Sequence, residues 1–285
     1  MHRRSRAAAL GLGTAALATG LALSRARRRA RDVPLSPLYA DGRVGADWPA
    51  RRGIRGRRVA GEMDALEDYA HPGFDPSAVH PDVRDLYERT VDFEMTLSAT
   101  WHRPFRAGAA LASRWTGRVE QLNLPGPGGG PKRVRSDLFA LDGPAADADP
   151  RDDPRLWVRT DVETGDAVFV AVYASHVVDG ERVVNIAVPL PGASLATVLR
   201  VTNRGDGLEL TTDGPDGGLY LHTDAGAVRL PASQRFRVAP AADPAAPAPP
   251  AGVDDAAATV LAEQHIRLCG TPLVTVRYAC ERRTE

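Results

Sequence analysis

The sequence predicts an α+β protein, predominantly antiparallel β, with two short N-terminal helices packed on a strongly curved sheet or partly closed β-barrel. Three observations carry this. Beyond Lys132 turn signals recur at short spacing: Thr164-Gly165-Asp166, Asp179-Gly180, Asn203-Arg204-Gly205, Gly214-Pro215-Asp216-Gly217 and Asp224-Ala225-Gly226. The runs between them are rich in Val, Leu, Tyr and Thr, which describes a meander and not alternating strand and helix. Two runs also keep strict period two. Val91, Phe93, Met95 and Leu97 alternate with Asp92, Glu94 and Thr96, and Val274, Val276, Tyr278 and Cys280 alternate with Thr275, Arg277 and Ala279. A sheet that curls in this way encloses an interior that side chains fill or a hydrophobic ligand occupies.

At the N-terminus, residues 7–24 form an uncharged run of 18 residues, with Arg3, Arg4 and Arg6 before it and Arg25, Arg27, Arg28, Arg29 and Arg31 after it. That is barely long enough to span a bilayer. Its Ala, Gly and Thr content weakens insertion, and the heavier positive flank favours an anchor with the body in the cytoplasm. The alternatives are a cleaved signal, with Ala16-Leu17-Ala18 as the small-residue site and a secreted body, or a chain that starts at Met63. The basic leader with its apolar segment, residues 1–31, is followed by a linker or irregular covering segment over 32–62. A single α+β domain over 63–285 comes next, with a low-complexity loop at 239–255. The chain has 36 basic and 36 acidic residues, but residues 1–62 hold 14 arginines against 4 acids, leaving 22 basic and 32 acidic groups beyond. An acidic body gives no reason to expect a nucleic-acid partner.

Within the domain, Pro81 opens a helix whose Val83, Leu86, Tyr87 and Thr90 share one face. After the 91–97 strand, Phe105, Gly108, Ala109, Leu111, Ala112 and Trp115 mark one side of a second helix ending near Gly117. PGPGGGP at 125–131 has the glycines of a phosphate cradle without the flanking strand and helix, and reads as a connection. In GDAVFVAVYASH both faces are apolar, so this strand is covered on two sides. Cys269 sits at a turn and Cys280 at the far end of the next strand. About eight extended residues, roughly 25–30 Å, separate them, so they cannot form a disulfide.

The site candidates are His176, Asn185 and Tyr173. His176 and Asn185 are isolated polar residues in apolar runs on either side of the Asp179-Gly180 turn. A buried amide without partners costs on the order of 1–3 kcal/mol, so Asn185 must bond to something. Either it braces a neighbouring carbonyl while His176 caps its strand, or both project into a cavity and orient the polar end of a ligand. Tyr173 is three residues from His176 and therefore falls on the opposite strand face. His71, His80 and His102 read as turn, helix-start and capping residues, and Tyr220 and His222 as a solvent-facing pair. Ser194 in PGASLAT approximates a G-x-S-x-G nucleophile elbow, but a strand and not a helix follows it. No residue set has metal-ligand spacing, and no cofactor is implied.

FDPSAVHPDVRDLYERT (74–90), WHRPFRAGAAL (101–111), VEQLNLP (119–125), YASH (173–176) and NIAVPLPG (185–192) together resemble an uncharacterised family of prokaryotic proteins of unknown function. The resemblance covers most of residues 63–285 and implies no activity, substrate or catalytic residue. The expectation is therefore a membrane-associated, non-catalytic protein that holds a small hydrophobic or lipid-like molecule inside a barrel-like sheet. Two alternatives stand beside it: an enzyme using His176 as acid or base with Tyr173 or Asn185 nearby, and a scaffold with a filled core.

Overall fold

The computed structural model describes residues 20–283, except for the side chains at 112, 113 and 115. The apolar segment 7–24 lies mostly outside the described residues; residues 20–28 are helical. No helix among the described residues is long and apolar enough to cross a membrane.

Thirteen strands form one antiparallel sheet. They are β1 (Arg55–Arg58), β2 (Phe93–Trp101), β3 (Lys132–Leu141), β4 (Asp152–Asp161), β5 (Ala167–Val178), β6 (Glu181–Leu190) and β7 (Ala193–Arg204), followed by β8 (Gly207–Thr211), β9 (Gly218–Thr223), β10 (Gly226–Arg229), β11 (Ala232–Pro240), β12 (Val260–Leu268) and β13 (Thr271–Arg282). Among the described residues four α-helices follow the 20–28 helix: α1 (Trp48–Arg51), α2 (Pro81–Glu88), α3 (Arg106–Val119) and α4 (Pro144–Ala148).

Ten strands close on themselves in the order β7-β6-β5-β4-β3-β2-β13-β12-β11-β8, and β8 returns to β7. Closure rests on β7, a strand long enough for two partners on one edge. Its residues Arg200–Arg204 pair with β8, while Ser194–Val198 pair with β9, which carries β10 outside the ring. The β8 end demands Gly207, because a Cβ there would overlap the Val238 carbonyl of β11. Tight turns with positive φ at both central residues join β5 to β6 (Asp179, Gly180) and β12 to β13 (Cys269, Gly270), matching strand twist. Both thiols are free, Cys269 exposed and Cys280 buried.

The alternation read from sequence sorts the wall into two faces. Phe93, Met95 and Leu97 of β2 and Val274, Val276, Tyr278 and Cys280 of β13 face the interior, joined there by Leu199, Leu210 and Val238. Helix α2 plugs one end with Val83, Leu86 and Tyr87. His80 caps it by accepting the Asp82 N–H at Nδ1. The other end of β2 reaches Trp101, whose Nε1 donates to the Pro125 carbonyl, so the 120–131 connection lies at the barrel end opposite α2. Of the second helix, Leu111 is 70 % exposed, although the sequence placed it on the packed side. Helix α3 follows the far end of β2 and leads into the 120–131 connection at the barrel end, so it does not lie along a face of the wall.

Residues 32–54 run over the outside of the wall. Val33, Leu35, Leu38, Val44, Trp48 and Ile54 are buried against Val170 and Val172 of β5, Val183 and Ala187 of β6 and Val198 of β7. This second layer is why β5 is apolar on both faces: one looks into the barrel and the other lies under the segment. Trp48, 1 % exposed, is its largest anchor. Trp48→Ala is expected to destabilise the protein by about 3–5 kcal/mol, measured by urea unfolding, because the site loses both transfer free energy and packing.

Candidate functional site

An eight-stranded barrel has an interior that side chains just fill, and a wider ring leaves space unless something plugs it. Here Leu86 and Tyr87 intrude from one end and Leu122 and Leu124 from the other, and a cavity of about 190 Å³ remains between them. Phe169, Ile186, Val188, Leu195, Leu199 and Leu219 give it a largely apolar wall.

Its polar groups are few. Arg159 reaches the interior from β4, where Trp157 precedes it on the same face. The guanidinium lies over the Trp157 ring, 4.2 Å from its centroid, and 5.8 Å from that of Tyr278. Its Nη2 faces Met95 Sδ at 3.3 Å, a weak acceptor, and its Nε has no protein partner among the described residues. The hydroxyls of Tyr87 and Tyr173 are likewise buried without one. Tyr278 donates to Gln264 Oε1 at 3.1 Å. Burial first of all, and neighbouring groups second, hold the Tyr87 and Tyr173 phenols well above their ordinary range, so both stay protonated. Burial also raises the Cys280 thiol to about 12.

Glu62 completes the set. Its backbone N–H donates to Thr90 Oγ1 at 3.2 Å. The preceding Gly61 fits because a Cβ there would collide with the Tyr87 carbonyl and Glu88 backbone. Burial raises the Glu62 carboxyl from 4.5 to about 7, with Arg159 pulling more weakly in the opposite direction.

The structure brings only Tyr173 of the three sequence candidates into this cavity. The expectation that His176 and Asn185 project inward is corrected: on β5 and β6 they share the face with Val172 and Val183, outside the wall and beneath the covering segment. There they belong to a buried polar network. Asp149 and Arg151, both with side chains 0 % exposed, form a two-pronged pair at 2.8 and 2.7 Å. Ser36 Oγ donates to Asp149 at 3.0 Å. Arg151 Nη1 donates to the Asn185 carbonyl at 2.9 Å and to Asn185 Oδ1 at 3.3 Å. That contact fixes the amide orientation, so Nδ2 donates to the Pro34 carbonyl at 2.7 Å and to His176 Nδ1 at 3.2 Å. An accepting Nδ1 leaves the proton of the neutral ring on Nε2, 3.4 Å from Asp216 Oδ2. Burial lowers the His176 pKa against the opposing pull of Asp216, which keeps the ring neutral. The amide thus ties the covering segment to the wall. Acid-base pairing of His176 with Tyr173 is not formed, since the wall separates them.

Other candidates resolve similarly. His71 Nε2 contacts the Val201 carbonyl at 2.9 Å and its Nδ1 accepts the Gly73 N–H at 3.0 Å, the turn role expected. The backbone carbonyl of His102 accepts the Arg106 N–H at the start of α3. Tyr220 and His222 are not solvent-facing: Tyr220 is 1 % exposed, and His222 Nδ1 contacts the Ser36 carbonyl at 3.1 Å, because the covering segment lies over β9. Ser194 lies within β7, paired with Pro189 and His222, so no nucleophile elbow forms. No cluster of three or more potential metal ligands occurs among the described residues. Sequence reasoning missed Glu62 and Arg159. The signal for Arg159 is present in RLWVR, where Arg155, Trp157 and Arg159 fall on one strand face. Glu62 lies in an irregular segment with no period to read.

Comparison with known proteins agrees with an uncharacterised family of unknown function. The chain is 27 % identical over 209 residues to the uncharacterized membrane protein YndJ of Bacillus subtilis (strain 168), covering 71 % of this chain and 37 % of that protein. The chain thus spans just over a third of this relative. No family model matches, and no solved structure does.

Two stability outcomes follow from these buried charges. Folding raises the Glu62 pKa, so the folded state holds a proton that the unfolded chain has released, and stability falls as pH rises from 4.5 to about 7. The loss is on the order of 3 kcal/mol. In Glu62→Gln, chemical denaturation across that range should show it removed. Arg151→Met strands the buried Asp149 carboxylate and is expected to cost about 3–5 kcal/mol, about half of which Asp149→Leu in the same chain restores.

Proposed function

We propose that this protein is a non-catalytic carrier of a small hydrophobic or lipid-like molecule inside its barrel, held at the membrane with its body on the cytoplasmic side. The observation that carries the reading is the apolar cavity of about 190 Å³ with unpartnered polar atoms of Tyr87, Tyr173 and Arg159 around it. Each such buried group costs about 1–3 kcal/mol until water or a ligand satisfies it, and a few polar groups in an apolar cavity is the composition of a ligand pocket. A scaffold has no use for this hollow.

Proximity to the membrane draws on two supports. Residues 7–24 are uncharged, and the exposed Arg25, Arg27, Arg28, Arg29 and Arg31 that follow suit an anionic leaflet, at about 1 kcal/mol for each arginine near its surface. The Bacillus subtilis relative is named as a membrane protein. A carrier placed there meets apolar molecules where they are concentrated.

Native mass spectrometry of the chain purified from its own host tests the reading. Additional non-protein mass is expected on the unmodified protein, and much less on Ala262→Ile, which pushes extra methylenes into the cavity wall at a cost of about 1–3 kcal/mol. Bare protein mass across gentle preparations, together with no uptake of added apolar compounds, would overturn it.

A further inference from the structure

Arg159 identifies the chemistry of the ligand's head. A guanidinium stays charged at any accessible pH, and its planar fork suits a carboxylate. A buried charge is stable only with compensation. Among the described residues no carboxylate lies within ion-pair distance of Arg159: its contacts are neutral, the Trp157 and Tyr278 rings, the Tyr278 hydroxyl and the Met95 sulfur. Its Nε–H has no protein partner. Glu62 does not serve as its built-in counter-ion. No ion pair joins the two among the described residues, and the pull of Arg159 on the Glu62 carboxyl is weaker than the effect of burial.

We propose that the cavity takes a short amphiphile with an anionic head of the carboxylate class, and that this head seats on the Arg159 guanidinium beside Glu62. The proposal rests on the ligand-binding reading above and goes further by naming the ligand class.

Geometry sets the ligand's direction and size. Glu62 and Tyr87 mark the end plugged by α2, and the Leu122 and Leu124 side chains lie toward the opposite end, so the head points to α2 and the tail to the 120–131 connection. About 190 Å³ exceeds the ~150 Å³ that holds benzene but falls short of the ~300–1,000 Å³ typical of pockets for drug-sized ligands. A short chain fits.

Inside the cavity the charged group that bears on Glu62 is Arg159 of β4. On its other side Glu62 borders a small cleft with Asp64, Asp68, Asp152, Asp153, Arg155 and Arg182, where Arg155 is already paired with Asp64 and donates to the Gly61 carbonyl. Tyr87 of α2, Tyr173 of β5 and Tyr278 and Cys280 of β13 face Glu62 as neutral phenols and a thiol. An ionised Glu62 would share the cavity with the incoming carboxylate, and two buried anions beside one guanidinium are over-compensated. Binding above the pKa of Glu62 therefore takes up one proton from solvent onto its carboxyl, leaving one anion and one cation.

Isothermal titration of the full chain with octanoate, octanol and octylamine, at about pH 6 and about pH 8, tests the proposal. Octanoate should bind at least about tenfold more tightly than octanol at the lower pH, and octylamine more weakly than either. The octanoate affinity should fall roughly tenfold at the higher pH, where the ligand itself stays ionised at both. Glu62→Gln should remove that fall, and Arg159→Met should remove the preference for octanoate over octanol. Octanol or octylamine binding as tightly as octanoate to the unmodified protein would overturn the anionic head and leave the carrier reading standing. Octanoate affinity independent of pH would overturn the role of Glu62. Failure of all three to bind or to displace retained mass would overturn the carrier reading with it.

Discussion

The structure depends on the pairing of β7 with two strands along one edge. Were β7 only as long as its ladder to β9, β8 would have no partner there, the ring would stay open, and β8 would expose an unpaired edge. By running on to Arg204, β7 closes ten strands into a barrel and still carries the β9–β10 hairpin outside it. Closure removes the edges and fixes which face of every strand is inside. It also sets the width, and a ring of ten is wider than its own side chains fill. The cavity is a consequence of strand number, reduced by α2 and the 120–131 connection without being eliminated.

Two buried arginines show how one wall serves different ends on its two faces. On the outer face, Arg151 is satisfied by Asp149, by Asn185 and by backbone carbonyls. Each Arg151 side-chain nitrogen donates to protein, and the network fastens residues 33–36 to the barrel. On the inner face, Arg159 has aromatic rings and a thioether for company. The difference separates a charge compensated by a carboxylate from one that has only neutral neighbours, and the proposed site rests on it.

Much of the fold was legible in the sequence. The alternation at 91–97 and 274–280 placed the correct residues inside, and the Asp179-Gly180 signal located a hairpin. Two apolar faces on the strand ending at His176 correctly implied cover on both sides. What the sequence could not tell was which face met the cavity, because interior and covered exterior are equally apolar along β5. That ambiguity leaves two readings of His176 and Asn185 open, a brace on a neighbouring carbonyl or a place in a cavity; the structure has the brace, on the Pro34 carbonyl of the irregular 32–54 segment, whose contacts have no period. Arg159 was readable in principle from alternation in β4. Glu62 was not, because its place in the cavity is set by three-dimensional closure alone.

The central claim is that the closed ring encloses an unfilled apolar space. Xenon binds dry apolar cavities of this size class and leaves full ones alone, so crystals of the protein pressurised with xenon test it most directly. The account predicts a xenon atom inside the barrel among Leu97, Phe169, Ile186 and Leu199. A barrel whose interior holds no xenon, with side chains of β4, β5 and β13 meeting across its axis, would contradict it.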